Sequence, residues 1–147
     1  MTFVVRAATI EDVPQMLVNT QRFINETPYK DLELVNHDMQ EELLAMINCG
    51  LCFVADQDGT HLGGVGAIKS PLFINHSIKM ASERFWWVDP EHRDSGVGKS
   101  LFLAIYTAAK AESCDYLTMF SLADPAVDKL YERAGMKKTD HTWMMKL

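Results

Sequence analysis

The sequence predicts an α/β fold with a mixed central sheet of about six or seven strands flanked by about four helices, and three observations carry that expectation. Strand-like and helix-like segments follow one another as strand, two helices, three strands, helix, strand, helix and strand pair, which is not the strict alternation of a doubly wound parallel sheet. A glycine loop stands between an aromatic strand and an apolar-striped helix. With 147 residues, 48% hydrophobic and 23% charged, the chain fits one domain, residues 1–147, whose core requires neither metal nor disulfide staples.

Residues 3–6 read as the first strand, followed by Thr9 as N-cap with Asp12 three positions on, in the manner of a capping box. The helix that follows sets Ile10, Val13, Met16, Leu17, Phe23 and Ile24 on one face and Pro14 in its first turn, where a missing N–H costs least. Residues 25–36 break the pattern, with Thr27-Pro28 biasing the backbone away from helix. A second helix, residues 37–49, turns Met39, Leu43, Met46 and Ile47 inward and stops at Gly50. Residues 51–55 and 60–69 predict a hairpin joined by Asp56-Gln57-Asp58-Gly59, with Gly63, Gly64 and Gly66 marking a bulge or a close backbone approach. Residues 70–77 read as a loop carrying Pro71, Phe73 and Ile74.

The aromatic strand then spans residues 80–88 and a helix spans 96–112, with Val97, Leu101, Ile105 and Ala108 as its inner stripe. Residues 115–122 form the next strand. Asp124 caps a helix with Pro125 at its first position and Gly135 at its end. Residues 136–138 and 142–147 predict a closing hairpin.

Composition excludes several classes. A net charge of -6 and a pI near 5.3 argue against sequence-independent nucleic-acid binding, which relies on clustered Lys and Arg. The same charge suits a cationic acceptor, although it also serves solubility. No run of about 18 apolar residues is present and no basic, apolar leader opens the chain, so a cytoplasmic protein without membrane contact is expected. Cys49-Gly-Leu-Cys52 has redox spacing, but Cys49 closes a helix and Cys52 enters a strand, whereas the redox motif opens a helix. Reduced structural thiols are expected for these and Cys114. His37, His61, His76, His92 and His141 show no ligand spacing, so no metal is expected.

The informative stretch is residues 88–98, Val-Asp-Pro-Glu-His-Arg-Asp-Ser-Gly-Val-Gly. At a helix start about four backbone N–H groups lack partners and the helix dipole adds positive potential, while Gly96 and Gly98 let an anion approach the main chain. This turn can hold phosphates. Gly98-Lys99-Ser100 also ends the P-loop pattern, but the position of that pattern's first glycine is Arg93, and no acidic strand end stands ready for magnesium.

The spacing Val88-x-Pro90-x-x-Arg93-x-x-Gly96-x-Gly98, together with Leu130-Tyr131-x-x-x-Gly135, resembles the GNAT superfamily of N-acyltransferases over nearly the whole chain. Ala81-x-Glu83-x-Phe85-Trp86-Trp87-Val88 is similar to a strand of small bacterial and phage members. The resemblance implies acetyl-CoA as donor and a primary amine as acceptor, on a small molecule or on a protein or peptide. It also implies direct attack within a ternary complex, without a covalent enzyme intermediate. The cofactor's arm would lie where the strands ending near Val88 and Leu122 splay apart. Many relatives dimerise, so a homodimer is one assembly open to this chain.

By the same resemblance the backbone of Arg93, Asp94, Ser95, Gly96, Val97, Gly98, Lys99 and Ser100 grips the pyrophosphate, with Arg93 and Lys99 adding charge. Asp94 departs from the family's glycine, which puts cofactor affinity in question more than cofactor identity. Backbone groups of Trp86, Trp87 and Val88 would bond the pantetheine and polarise the thioester. Tyr131, a phenol protonated at neutral pH, is the candidate general acid for the thiolate. Glu83 is the candidate base. Ideal alternation sets Glu83 with Phe85 and Trp87, a bulge would reverse this, and a salt bridge to Arg84 or a neighbouring lysine is the structural alternative. Glu26 and Tyr29, with Pro28, would line the acceptor site opposite Phe73 and Ile74. A non-catalytic acyl-CoA-binding regulator of the same fold would keep Arg93, Gly96 and Gly98 without needing Tyr131.

Overall fold

The computed structural model describes residues 2–122 and 124–147. Its strands are β1 (Val4–Ala7), β2 (Cys52–Gln57), β3 (Thr60–Leu72), β4 (Asn75–Val88) and β5 (Tyr116–Thr118), and its helices α1 (Val13–Asn25), α2 (Asn36–Asn48), α3 (Val97–Ala111) and α4 (Pro125–Arg133). The strands form one sheet in the order β1-β2-β3-β4-β5, antiparallel throughout except for the parallel pair β4 and β5. A mixed α/β sheet is therefore present, with five strands and not six or seven.

The shortfall lies at the C-terminus. Residues 136–147 form no strand, and Trp143 is 92% exposed. Alternating apolar residues favour a strand only where an edge receives them, and β5, three residues long, offers little edge. β5 itself stops well short of Leu122, which sits at φ +48. The loop expected over residues 70–77 is instead the tip of a long hairpin, because β3 and β4 stay paired through Pro71 and Lys79 and turn at Phe73 and Ile74.

Each face of the sheet carries its own core. On one, Val97, Leu101, Ile105 and Ala109 of α3 pack over Leu51, Ala55, Leu62, Val65, Ala67 and Ala81. On the other, Val13 and Met16 of α1 and Leu43 and Met46 of α2 pack over Cys52, Val54 and Phe85. Gly66 belongs to the second contact: a Cβ there would stand 2.5 Å from Met46 Sδ and 2.7 Å from the Phe85 ring, so the glycine is a close approach. Ile10, expected inward, is exposed because it falls in a short 3-10 helix (Ile10–Asp12) before α1 begins.

The register between β3 and β4 slips between Gly66 and Ala67, which oppose Phe85 and Glu83 and leave Arg84 as the extra residue. Ala81 consequently sits in the α3-side core together with Trp86 and Val88, whereas Phe85 sits in the α1-side core. Glu83, two residues from Ala81 with no slip between them, follows Ala81. The bulge thus reverses ideal alternation.

Candidate active site

The pairing of β4 with β5 ends at Ser82 and Thr118, while β4 runs on to Val88. From Glu83 onward the β5-facing edge of β4 has no strand partner among the described residues. Such an edge presents unpaired backbone donors and acceptors to anything laid along it.

Two side chains converge where the strands part. Glu83 is 4% exposed, and its Oε2 accepts a 2.8 Å hydrogen bond from the N–H of Phe120, just past β5. Tyr131, in the last turn of α4, donates its hydroxyl to the carbonyl of the same Phe120 at 2.6 Å. Glu83 and Tyr131 are thus held on one peptide segment by contacts that no single-strand pattern encodes. Burial pushes the Glu83 carboxyl up to about 7, only partly opposed by the Phe120 N–H. Burial likewise drives the Tyr131 phenol well above its ordinary value, with the charges of Glu83 and Asp128 adding to the shift. Tyr131 packs against Trp86 and Phe102, ring centroids 5.8 and 6.3 Å away. Arg84, the structural alternative for pairing Glu83, lies near Glu42 at 3.6 Å instead.

Downstream of Val88 the chain makes a 3-10 turn (Pro90–His92) and enters α3 through Gly96, the N-cap, at φ +86. That angle lies in the left-handed region where a Cβ is strained, which explains glycine here. No side chain caps α3, and the first main-chain bond of the helix is Ser100 N–H to Gly96 C=O at 3.0 Å. The N–H groups of Val97, Gly98 and Lys99 find no acceptor among the described residues. Val97 is buried, while Arg93, Asp94, Ser95, Gly96 and Lys99 are exposed and Gly98 and Ser100 half-buried. Ser95 closes the turn by donating Oγ to His92 C=O. The free amides and unpaired β4 edge fit a phosphate-bearing ligand with an extended arm.

Trp86 and Trp87 divide between the faces. Trp86 joins the aromatic group at α3 and α4, and Trp87 is buried on the α1 side with the Arg22 guanidinium 4.8 Å from its ring centroid. Both indole N–H groups are buried without a partner among the described residues. Glu26 and Tyr29 lie in the exposed loop after α1, but Glu26 reaches Arg93 Nη2 at 2.5 Å while Arg93 Nε donates to Val88 C=O at 3.1 Å. Phe73 and Ile74 do not face that loop: the hairpin tip is the opposite end of β4, about 40 Å of strand away. Sequence reasoning also missed Phe120, Arg22 and Asp89. Arg22 bonds Asp89 at 3.0 Å, a second tie from α1 to the glycine loop. Cys49, Cys52 and Cys114 are free, and no cluster of metal-ligating side chains occurs among the described residues. No described helix is long and apolar enough to cross a membrane.

Comparison with solved structures finds the same fold in proteins described as acetyltransferases. A predicted acetyltransferase from Clostridium acetobutylicum, solved with acetyl-CoA, superposes with a TM-score of 0.80 at 11% identity, covering 99% of this chain and 96% of the other. Glucosamine-6-phosphate N-acetyltransferase from Arabidopsis thaliana gives 0.75 at 14% identity, covering 99% of each chain. Ribosomal-protein-alanine N-acetyltransferase from Brucella melitensis gives 0.73 at 17%, covering 99% of each. These likenesses concern the fold. No curated protein sequence matches the chain. The family model described as Acetyltransferase (GNAT) family matches residues 17–136, and the donor of that family is acetyl-CoA. The chain belongs to the GNAT acetyltransferase family.

Proposed function

We propose that this protein is an N-acetyltransferase that uses acetyl-CoA and a primary amine, carried by a small molecule or by a peptide or protein, in a ternary complex. The observation that carries the reading is Glu83: a carboxyl with its pKa raised to about 7 stands where β4 and β5 part, beside an unpaired strand edge that leads to the free amides of α3. Relatives of this fold are named for acetylation of a sugar amine and of a ribosomal-protein alanine, which supports an amine acceptor and leaves its skeleton open.

In this reading the backbone amides of Val97, Gly98 and Lys99 hold the diphosphate, with Arg93 and Lys99 supplying positive charge. Main-chain groups of Trp86, Trp87 and Val88 orient the extended arm along β4. Acetyl-CoA supplies a thioester-activated acetyl group. Glu83 takes a proton from the acceptor's ammonium, directly or through water, so that a neutral amine reaches the acyl carbon. A base poised near 7 suits this task because it is ionised at working pH yet basic enough to accept the proton. Tyr131 remains protonated and donates to the leaving thiolate, its O–H turning from Phe120 C=O by rotation about the C–O bond.

A second reading is favoured by one observation. Glu83 and Tyr131 are both already bonded to Phe120, as they would be in a module that binds acyl-CoA and performs no chemistry. Thiol release from acetyl-CoA measured over a panel of amines and peptide N-termini, beside calorimetry with acetyl-CoA, separates the two. Turnover with at least one amine is expected. Binding without turnover on any acceptor favours the regulator, and no binding refutes both.

A further inference from the structure

We propose that Arg93 is a partner shared between the donor's diphosphate and Glu26, so that donor binding strips Arg93 from Glu26 and the freed carboxylate receives a positive charge on the acceptor. The inference rests on the acetyltransferase reading and adds two things to it: donor and acceptor each favour the binding of the other, and the acceptor carries a cation besides its reacting amine.

The geometry supplies each step. Arg93 reaches back across the loop to Val88 C=O and out to Glu26 Oε2, so its guanidinium is already committed in the absence of ligand. Both side chains are nearly half exposed, 47% and 42%, so a ligand in solvent can compete for either one. A diphosphate carries more negative charge than one carboxylate and offers the guanidinium bidentate oxygens, which favours exchange of partner. Once released, Glu26 finds no free arginine on α1, the helix it follows. Arg22, the one basic residue of α1, is held by Asp89 and by the face of Trp87. Glu26 itself cannot follow Arg93 far, because its backbone N–H is bonded to Phe23 C=O and Thr27 N–H to Ile24 C=O.

The released charge lies at the wrong end of β4 to meet the reacting amine. Glu83 and Val88 are separated by about 15 Å of strand. Glu26 would therefore read a second cation, as on a linear polyamine or a basic peptide. Arg93 thus competes with the acceptor's cation for Glu26, and the donor weakens that competition.

Calorimetry with CoA, which lacks the acetyl group and does not react, tests this against spermidine as a cationic probe. Glu26→Gln is expected to tighten CoA about twofold to fivefold, the range of one exposed ion pair, because the diphosphate no longer competes for Arg93. Arg93→Gln weakens CoA, and the double variant binds no tighter than Arg93→Gln alone. In the wild type CoA and spermidine strengthen each other's binding by the same factor, as linkage demands, and Glu26→Gln removes that coupling. A Glu26→Gln variant that binds CoA equally or more weakly, or coupling that persists in it, overturns the proposal. A wild-type chain that takes up CoA normally while failing these comparisons loses only the switch. One that takes up no CoA loses the acetyltransferase reading as well.

Discussion

Asp12 and Glu83 expose nearly the same small fraction of their surface, 6% and 4%, yet their carboxyls shift in opposite directions. Asp12 accepts from Arg6 Nη1 and Nη2 at 2.8 and 2.9 Å, from Thr9 N–H at 2.8 Å, and lies 2.9 Å from His61 Nε2. The Arg6 hydrogen bonds hold it far below the usual carboxylate range against the opposing effect of burial. Glu83 has the Phe120 N–H and no cation, so burial prevails. Surface exposure alone therefore does not decide the charge state; the depth at which each carboxyl lies and the partners it finds do. Asp12 pins β1, β3 and the start of α1 together, a structural use of charge. Glu83 carries an incompletely compensated carboxyl at the opening of the sheet, which costs stability and is consistent with the base role proposed for it.

The largest expected loss of stability breaks the compensated side. Asp12→Asn takes the carboxylate from beside the buried His61 ring and removes one of the two carboxylates on Arg6. Arg6 is 37% exposed and keeps Asp56, so the loss is discounted for solvent from that of a fully buried pair to about 2 kcal/mol, still a sizeable part of a domain's net stability. Urea unfolding at neutral pH measures it. With its native pKa depressed below the unfolded value of 3.8, Asp12 contributes stability above that value and loses it as pH falls through the native one. The variant's unfolding midpoint should thus depend less on acid than the wild type's. Equal stabilities at pH 7 would mean the cluster holds nothing together.

Glu83→Gln should act oppositely. Its native pKa, about 7, lies above the unfolded value of 4.5, so the native state is favoured by Glu83 below 4.5 and loses that contribution as pH rises through 7. The loss is on the order of 3 kcal/mol, and glutamine, which can still accept from Phe120 N–H, avoids it. At pH 8 the variant should be as stable as the wild type or more so, while kcat falls about 100-fold, the scale of a lost general base. The rise of kcat/KM with pH through about 7 should vanish with it. An unaltered pH profile removes Glu83 from the mechanism.

The two carboxylates also differ in how far the sequence exposes their roles. Asp12 is legible as half of a capping box, but its cation and imidazole come from Arg6 and from His61, 49 residues away, pairings that no local pattern announces. Glu83 is legible as an acid on the right strand. Its face is not, because the slip at Gly66 and Ala67 belongs to two strands in register and one strand's alternation does not contain it. The glycine loop reads well for the opposite reason: Gly96 at φ +86 and an uncapped helix start are local properties that local residues dictate. Phe120 acts only through its peptide groups, so its side chain gives no signal. The expected closing strands 136–138 and 142–147 fail likewise, since apolar alternation records a preference and pairing needs an edge.

Tyr131→Phe gives the smallest of these effects and asks whether the comparison extends to the partner of Glu83 on Phe120. The substitution removes one oxygen from a buried site and leaves the ring in contact with Trp86 and Phe102. Phe120 C=O loses its 2.6 Å donor, a cost of about 1 kcal/mol that melting can register separately from catalysis. If the hydroxyl protonates the thiolate, kcat falls tenfold or more while CoA affinity by calorimetry stays nearly constant, because the amides of α3 and Arg93 are untouched. Glu83 loses a neighbour that did not neutralise it, so its titration near 7 should persist in the variant's kcat/KM profile. A kcat within twofold of wild type would leave Tyr131 as a clasp on Phe120 that positions the strand ends, and proton delivery would pass to solvent.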